Sequence, residues 1–206
     1  MNVMWRLFLG FLLLSSMLSC TIEERIVIGA ILPLTGDAAA YGMSAQRGID
    51  LAVKEINQRD ILYGTLVVVY DDSSCNSLKS ERAAQNMITA HGMKIVIGDL
   101  CSASTVAVAR IAEQNNVVLI TPARLDGVFS ITPADIDAAD LSRGNAVFIE
   151  LYKRVYDEEP DVFAAQSYDA VKIVAEALKT ERTEIRIRNL LSNLTYDGVS
   201  GTIKFS

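Results

Sequence analysis

The chain has 206 residues, half of them hydrophobic, enough for one sizeable α/β core beyond an export segment and too few for two generous domains. Its 19 Lys and Arg against 25 Asp and Glu leave a net charge of −6. No run of basic residues could track a phosphate backbone, which argues against nucleic acid as a partner.

The first 20 residues, MNVMWRLFLGFLLLSSMLSC, carry an early cation at Arg6, an apolar run over 7–14 and small residues before Cys20. This is signal-peptide grammar, and residues 1–19 are expected to be removed on export. The run gives way to Ser15 and Ser16 well short of the about 20 apolar residues a spanning helix needs. Met17-Leu18-Ser19-Cys20 resembles a lipoprotein signal, in which the cysteine thiol accepts a diacylglyceryl group, although Met17 stands where Leu, Val or Ile is usual. Plain cleavage with a free Cys20 thiol is the alternative; an exposed unpaired thiol is a liability outside the cell. Lipidation would also remove the odd cysteine of three, leaving Cys75 and Cys101 available to each other. The expected location is the periplasm or cell envelope, with a membrane contact through the lipid.

From Glu24 onward, apolar runs alternate with helical patterns. Strands are predicted over 26–32, 65–70, 94–98 and 117–121, and helices over 44–58, 78–91 and 104–114. Four near-continuous apolar strands separated by amphipathic helices predict an α/β fold, a Rossmann-like parallel sheet with helices on both faces. A further strand over 128–132 precedes a polar loop over 133–144, and helices follow over 145–156, 167–178 and 184–194. Asp197-Gly198 signals a turn before a last strand over 202–205.

Ligands of such sheets sit beyond the carboxyl ends of the strands, so the loops after Leu32, Tyr70, Gly98 and Thr121 are the candidate site. The first carries Thr35, Gly36, Tyr41 and Gly42 ahead of a helix; it matches no dinucleotide or P-loop pattern. The third places Ser102, Ser104 and Thr105 at a helix start, where one hydroxyl can cap and the others can face an anion. Cys75 follows the second predicted strand and Cys101 the third; a disulfide between them would pin two neighbouring loops beside the site and contribute roughly 3 kcal/mol by chain entropy.

Enzyme signatures are absent from the sequence. Its one histidine, His91, ends a predicted helix and reads as a surface or capping residue, too little for a catalytic triad or a histidine metal site. Asp71-Asp72 reads as strand termination and loop capping rather than an acid–base pair.

Ile28-Gly29-Ala30, Pro33-Leu34-Thr35-Gly36, Tyr41-Gly42, Tyr70-Asp71-Asp72, Cys75, Val96-Ile97-Gly98, Leu100-Cys101-Ser102 and Ile120-Thr121-Pro122-Ala123 together resemble the leucine/isoleucine/valine-binding proteins and related type I periplasmic solute receptors. A second block, with Phe148, Tyr152, Phe163-Ala164-Ala165, Tyr168-Asp169-Ala170-Val171 and Tyr196-Asp197-Gly198-Val199-Ser200-Gly201-Thr202, is similar to that family's C-terminal segment.

The resemblance implies a small amino-acid ligand and an ABC transporter permease as partner, with no cofactor and no metal. It places Tyr41, Ser102 with Cys101 beside it, and Ala123 at the ligand's carboxylate and ammonium, and Phe163 against its side chain. Leu125 stands where relatives carry a hydroxyl, which removes one polar contact. The stretch that builds the second lobe in relatives is absent here, so a single lobe is expected from two segments, 20–123 and 127–206. Hinge closure of two lobes traps ligand in such receptors, so a lone lobe predicts weak binding. The alternative is an envelope lipoprotein that uses the cleft face to bind a protein or a second copy of itself.

Overall fold

The computed structural model describes residues 24–123, 125, 128–131, 146–180 and 183–205; the export segment, Cys20 and the predicted loop over 133–144 lie outside them. Seven strands and six helices follow in order among the described residues: β1 (Arg25–Leu32), α1 (Ala39–Gln58), β2 (Thr65–Asp72), α2 (Ser77–Gln85), β3 (Ile95–Gly98), α3 (Ser102–Gln114), β4 (Val118–Thr121), β5 (Phe129–Ser130), α4 (Ala146–Tyr156), α5 (Val162–Thr180), α6 (Glu184–Ser192), β6 (Thr195–Gly198) and β7 (Gly201–Lys204). None of the described helices is long and apolar enough to cross a membrane.

The first five strands form one parallel sheet in the order β2-β1-β3-β4-β5. Side-chain alternation along these strands divides the apolar residues between two cores. Ile28, Ala30, Leu32, Ile97 and Ile120 meet α1, α5 and α6 on one face. Ile31, Val96 and Leu119 meet α2 and α3 on the other, with Ala84, Met87 and Val108. A strand flanked by helices on both sides can be apolar at every position, which is why these four runs are legible.

The helix α1 starts at Ala39, five residues before its predicted start, because Ala39 and Ala40 favour helix once Pro33 and Gly36 are passed. Similarly α5 starts at Val162 rather than 167. There the Asp161 carboxylate accepts the Ala164 N–H at 2.8 Å and the Ser44 hydroxyl at 2.5 Å, so one side chain caps α5 and ties it to α1. The two helices cross in backbone contact: a Cβ on Gly48 would stand 2.1 Å from the Ala164 carbonyl oxygen. The Tyr168 hydroxyl donates to Glu55 on the same interface, and Lys172 lies 3.4 Å from that carboxylate.

Two other expectations change. The helix predicted over 78–91 passes at Gln85 into a π turn, Asn86–Ala90, whose wider winding buries both Met87 and Ile88. The chain ends in an antiparallel hairpin, β6–β7, whose turn is Val199-Ser200 rather than Asp197-Gly198. The displacement has a tertiary cause: Asp169 of α5 accepts the Val199 and Ser200 N–H groups at 3.0 and 2.7 Å and so holds the turn from outside.

Candidate functional site

The carboxyl ends of β1 to β4 bring four loops to one edge of the sheet. Asp72 joins the first two. Its carboxylate accepts the Leu34 and Thr35 N–H groups at 2.8 and 3.1 Å, the Ser74 N–H at 2.9 Å, and the Thr35 and Ser74 hydroxyls. Partial burial alone would raise its pKa; the donors from Thr35, Ser74 and Leu34 outweigh that and hold it below the ordinary carboxylate range.

A depressed folded pKa contributes stability that is present above the unfolded value, about 3.9, and fades as pH falls through the folded one. Wild-type protein is therefore expected to be more stable than Asp72→Asn at pH 6, with the gap closing below about pH 4 in denaturant titrations. A pH-independent gap would contradict an ionised Asp72.

The third loop is organised by Asp99, which is fully buried. Burial raises its pKa, against donors from Ser73, Leu100, Ser80 and Cys101. The Ser80 hydroxyl lies 3.0 Å and the Leu100 N–H 2.6 Å from its carboxylate. Thr121, at the end of β4, donates its hydroxyl to the Asp99 carbonyl at 2.8 Å and accepts the Ala123 N–H at 2.9 Å. One threonine thus couples the Asp99–Ser102 turn to Ala123. Neither Asp99 nor Thr121 stands out as an organiser in the sequence, since both look like strand ends.

Among the residues that the sequence singles out, Tyr41 lies in the first turn of α1, 52% exposed, its ring 5.0 Å from that of Phe163 on the first turn of α5. Ser102 is exposed as the first residue of α3, with Cys101 before it. Ala123 is buried after β4, and its carbonyl accepts the Ser130 hydroxyl at 3.0 Å, leaving one lone pair. Leu125 is half-buried.

The trio of hydroxyls behaves unequally. Ser104 is fully buried with its oxygen unpartnered among the described residues, and Thr105 donates to the Cys101 and Asp99 carbonyls. Only Ser102 of the three is exposed, and the residue before it, Cys101, makes no capping hydrogen bond to α3 through its side chain among the described residues.

The Cα atoms of Cys75 and Cys101 are 5.6 Å apart, within the range a disulfide spans. Their sulfurs and an Asp99 oxygen lie within 4.8 Å of one another. His91 caps the π turn at the opposite end of the sheet, exposed and remote from these loops.

A family model described as periplasmic binding protein matches residues 25–134. The chain is similar to the Leu/Ile/Val-binding protein BraC3 of Rhizobium johnstonii, with 34% identity over 97 residues, covering 47% of this chain and 26% of that protein. The Leu/Ile/Val-binding protein of Escherichia coli strain K12 is 31% identical over 124 residues, 60% of this chain and 34% of that one. The matches thus span about a quarter to a third of the length of these relatives.

Among solved structures, the branched-chain amino acid transporter substrate-binding protein LivJ from Streptococcus pneumoniae, in complex with isoleucine, superposes with a TM-score of 0.76. That match covers 89% of this chain and 92% of the other at 19% identity. A solute-binding protein of an ABC transporter from Rhodopseudomonas palustris, in complex with 3,4-dihydroxybenzoic acid, gives 0.74 over 88% and 89% at 14% identity. At such identities the likeness is one of fold, the parallel sheet with flanking helices of type I periplasmic binding proteins.

Proposed function

Because the chain belongs to the periplasmic binding protein family, we propose that it is an exported, substrate-binding lipoprotein component of an ABC transporter for branched-chain or related amino acids. The reading is supported by a polar turn and an aromatic pair that both belong to segments at the carboxyl edge of the sheet: Ser102 tied to Ala123 through Asp99 and Thr121, and Tyr41 against Phe163. In this reading the Ser102 hydroxyl and the open N–H groups of the first turn of α3 take the ligand's carboxylate. The remaining lone pair of the Ala123 carbonyl takes an ammonium proton, and the aromatic pair takes the apolar side chain.

Cys75 and Cys101 are assigned as a disulfide that holds Ser102 in place, and Cys20 as the lipid attachment site. Two thiols rather than three donors to a metal fit this place, because the Asp99 carboxylate is already hydrogen-bonded to Ser80 and Leu100. The ligand-loaded form is the one a permease would meet. Segments 20–123 and 127–206 together build one lobe, and a ligand gripped from one side stays partly in water.

Calorimetric titration with leucine, isoleucine and valine tests the assignment. A dissociation constant on the order of 0.1–1 mM is expected, weakened roughly tenfold or more in Ser102→Ala through loss of a hydrogen bond to a charged group. No heat with any amino acid, together with a stable dimer in light scattering, would sink it in favour of a protein-interaction module.

A further inference from the structure

At the amino end of the sheet, opposite the crevice, a groove of about 610 Å³ runs under the starts of β1 and β3. Its walls are mainly apolar, with Val27, Val69, Met93, Leu178 and Ile187 among them. Val27 and Val69 are 43% and 41% exposed although both lie inside strands, where a β-branched side chain ordinarily finds a cover. The uncovered strip arises because α2 ends in the π turn, after which the chain drops through His91 and Gly92 to Met93 and leaves the outer part of β1 and β2 bare among the described residues. Met93 supplies an adaptable thioether wall. Charged groups, Arg25, Lys94 and Glu184, stand among the lining residues, and Lys94 and Glu184 pair at 3.4 Å.

The chain itself enters at this groove. Glu24 lines it, and the Glu24 carbonyl accepts the Thr65 N–H at 2.8 Å, which fixes the direction of entry beside the start of β2. Cys20 is four residues upstream, and four residues span at most about 14 Å. A group attached at Cys20 would therefore start within that reach of Glu24.

We propose that the groove holds one acyl chain of the lipid carried on Cys20, a proposal that rests on the lipid-anchor part of the reading above. An acyl chain asks for apolar walls and no hydrogen-bond partners, and the groove offers such walls beside charged groups suited to its polar end. The amino edge of the sheet then faces the membrane. The crevice opens on the far side, roughly 23 Å away along the eight residues of β1.

The test uses the full chain, produced with its own N-terminal segment in bacteria fed a diazirine-bearing palmitate, irradiated, and mapped by peptide mass spectrometry. Cross-links are expected on the peptides carrying Met93 and Ile187. They are expected to fall about tenfold or more in Val69→Asp, because a carboxylate is not left unpaired against hydrocarbon. Val27→Asp serves the same purpose should the first variant fail to fold. An acylated Cys20 with cross-links no denser there than on α3, or unaffected by either variant, overturns the proposal alone. A Cys20 found without lipid removes the anchor and this proposal with it, while the amino-acid crevice stands or falls by its own titration.

Discussion

Asp169→Ala is expected to lower folding stability by about 3–5 kcal/mol, seen as a fall of roughly 10 °C in Tm. The carboxylate is fully buried in α5 and accepts three donors, the N–H groups of Val199 and Ser200 and the Ser200 hydroxyl at 2.5 Å. Truncation leaves all three beneath the surface without an acceptor, and it frees the hairpin from the helix that positions it. Burial raises the pKa of Asp169, opposed by Ser200, Val199 and, more weakly, Lys172, so the hydrogen bonds rather than the charge itself hold the turn. Asp169→Asn keeps the shape and one strong acceptor and is expected to lose less than half as much. Equal losses in the two variants, measured by denaturant unfolding, would mean that the charge is the stabilising element.

The second large effect is at the site. Gly98→Ala is expected to cost about 3 kcal/mol or more and to abolish amino-acid binding in the calorimeter. Gly98 has φ of +115°, a region that side chains rarely adopt, and a Cβ there would stand 2.0 Å from the Ile31 carbonyl oxygen of the paired strand β1. A backbone oxygen inside a sheet has nowhere to go. The displaced residue would be the next one, Asp99, and with it the turn that carries Cys101 and Ser102 and the link through Thr121 to Ala123. A variant with wild-type Tm and undiminished binding would show that this turn does not organise the crevice.

The parts of the fold that were legible in the sequence share a physical reason. The strands β3 and β4 are buried at every position and β1 over its last five residues, so their apolar runs are unbroken; the edge strand β2 is only partly covered, yet its run too is apolar, and the four runs end at Pro, Gly or Asp. The loops at their carboxyl ends follow from parallel topology alone, and that is why the segments bearing Tyr41, Ser102 and Ala123 could be named from the sequence as those at one edge. What stayed hidden was decided by single long-range hydrogen bonds. Asp161 starts α5 early because Ser44, 117 positions away, helps fix its carboxylate. The hairpin turn sits at Val199-Ser200 because Asp169 meets it 30 residues along the chain. Ser104 and Thr105, read as possible anion ligands, are turned inward, the one buried and the other spent on carbonyls of its own turn.

Residue order by itself determined the α/β class, the parallel sheet, the edge that its strand-end loops share and the kinship with periplasmic binding proteins, because hydrophobic period and local turn chemistry act over a few residues. Only the tertiary structure decided which groups hold that edge together, Asp72 across two loops and Thr121 across two others, and that an apolar groove lies at the opposite edge beside Glu24. Those depend on side chains far apart in the chain meeting in space, where burial sets how much each hydrogen bond or exposed valine matters, and no local pattern records that meeting.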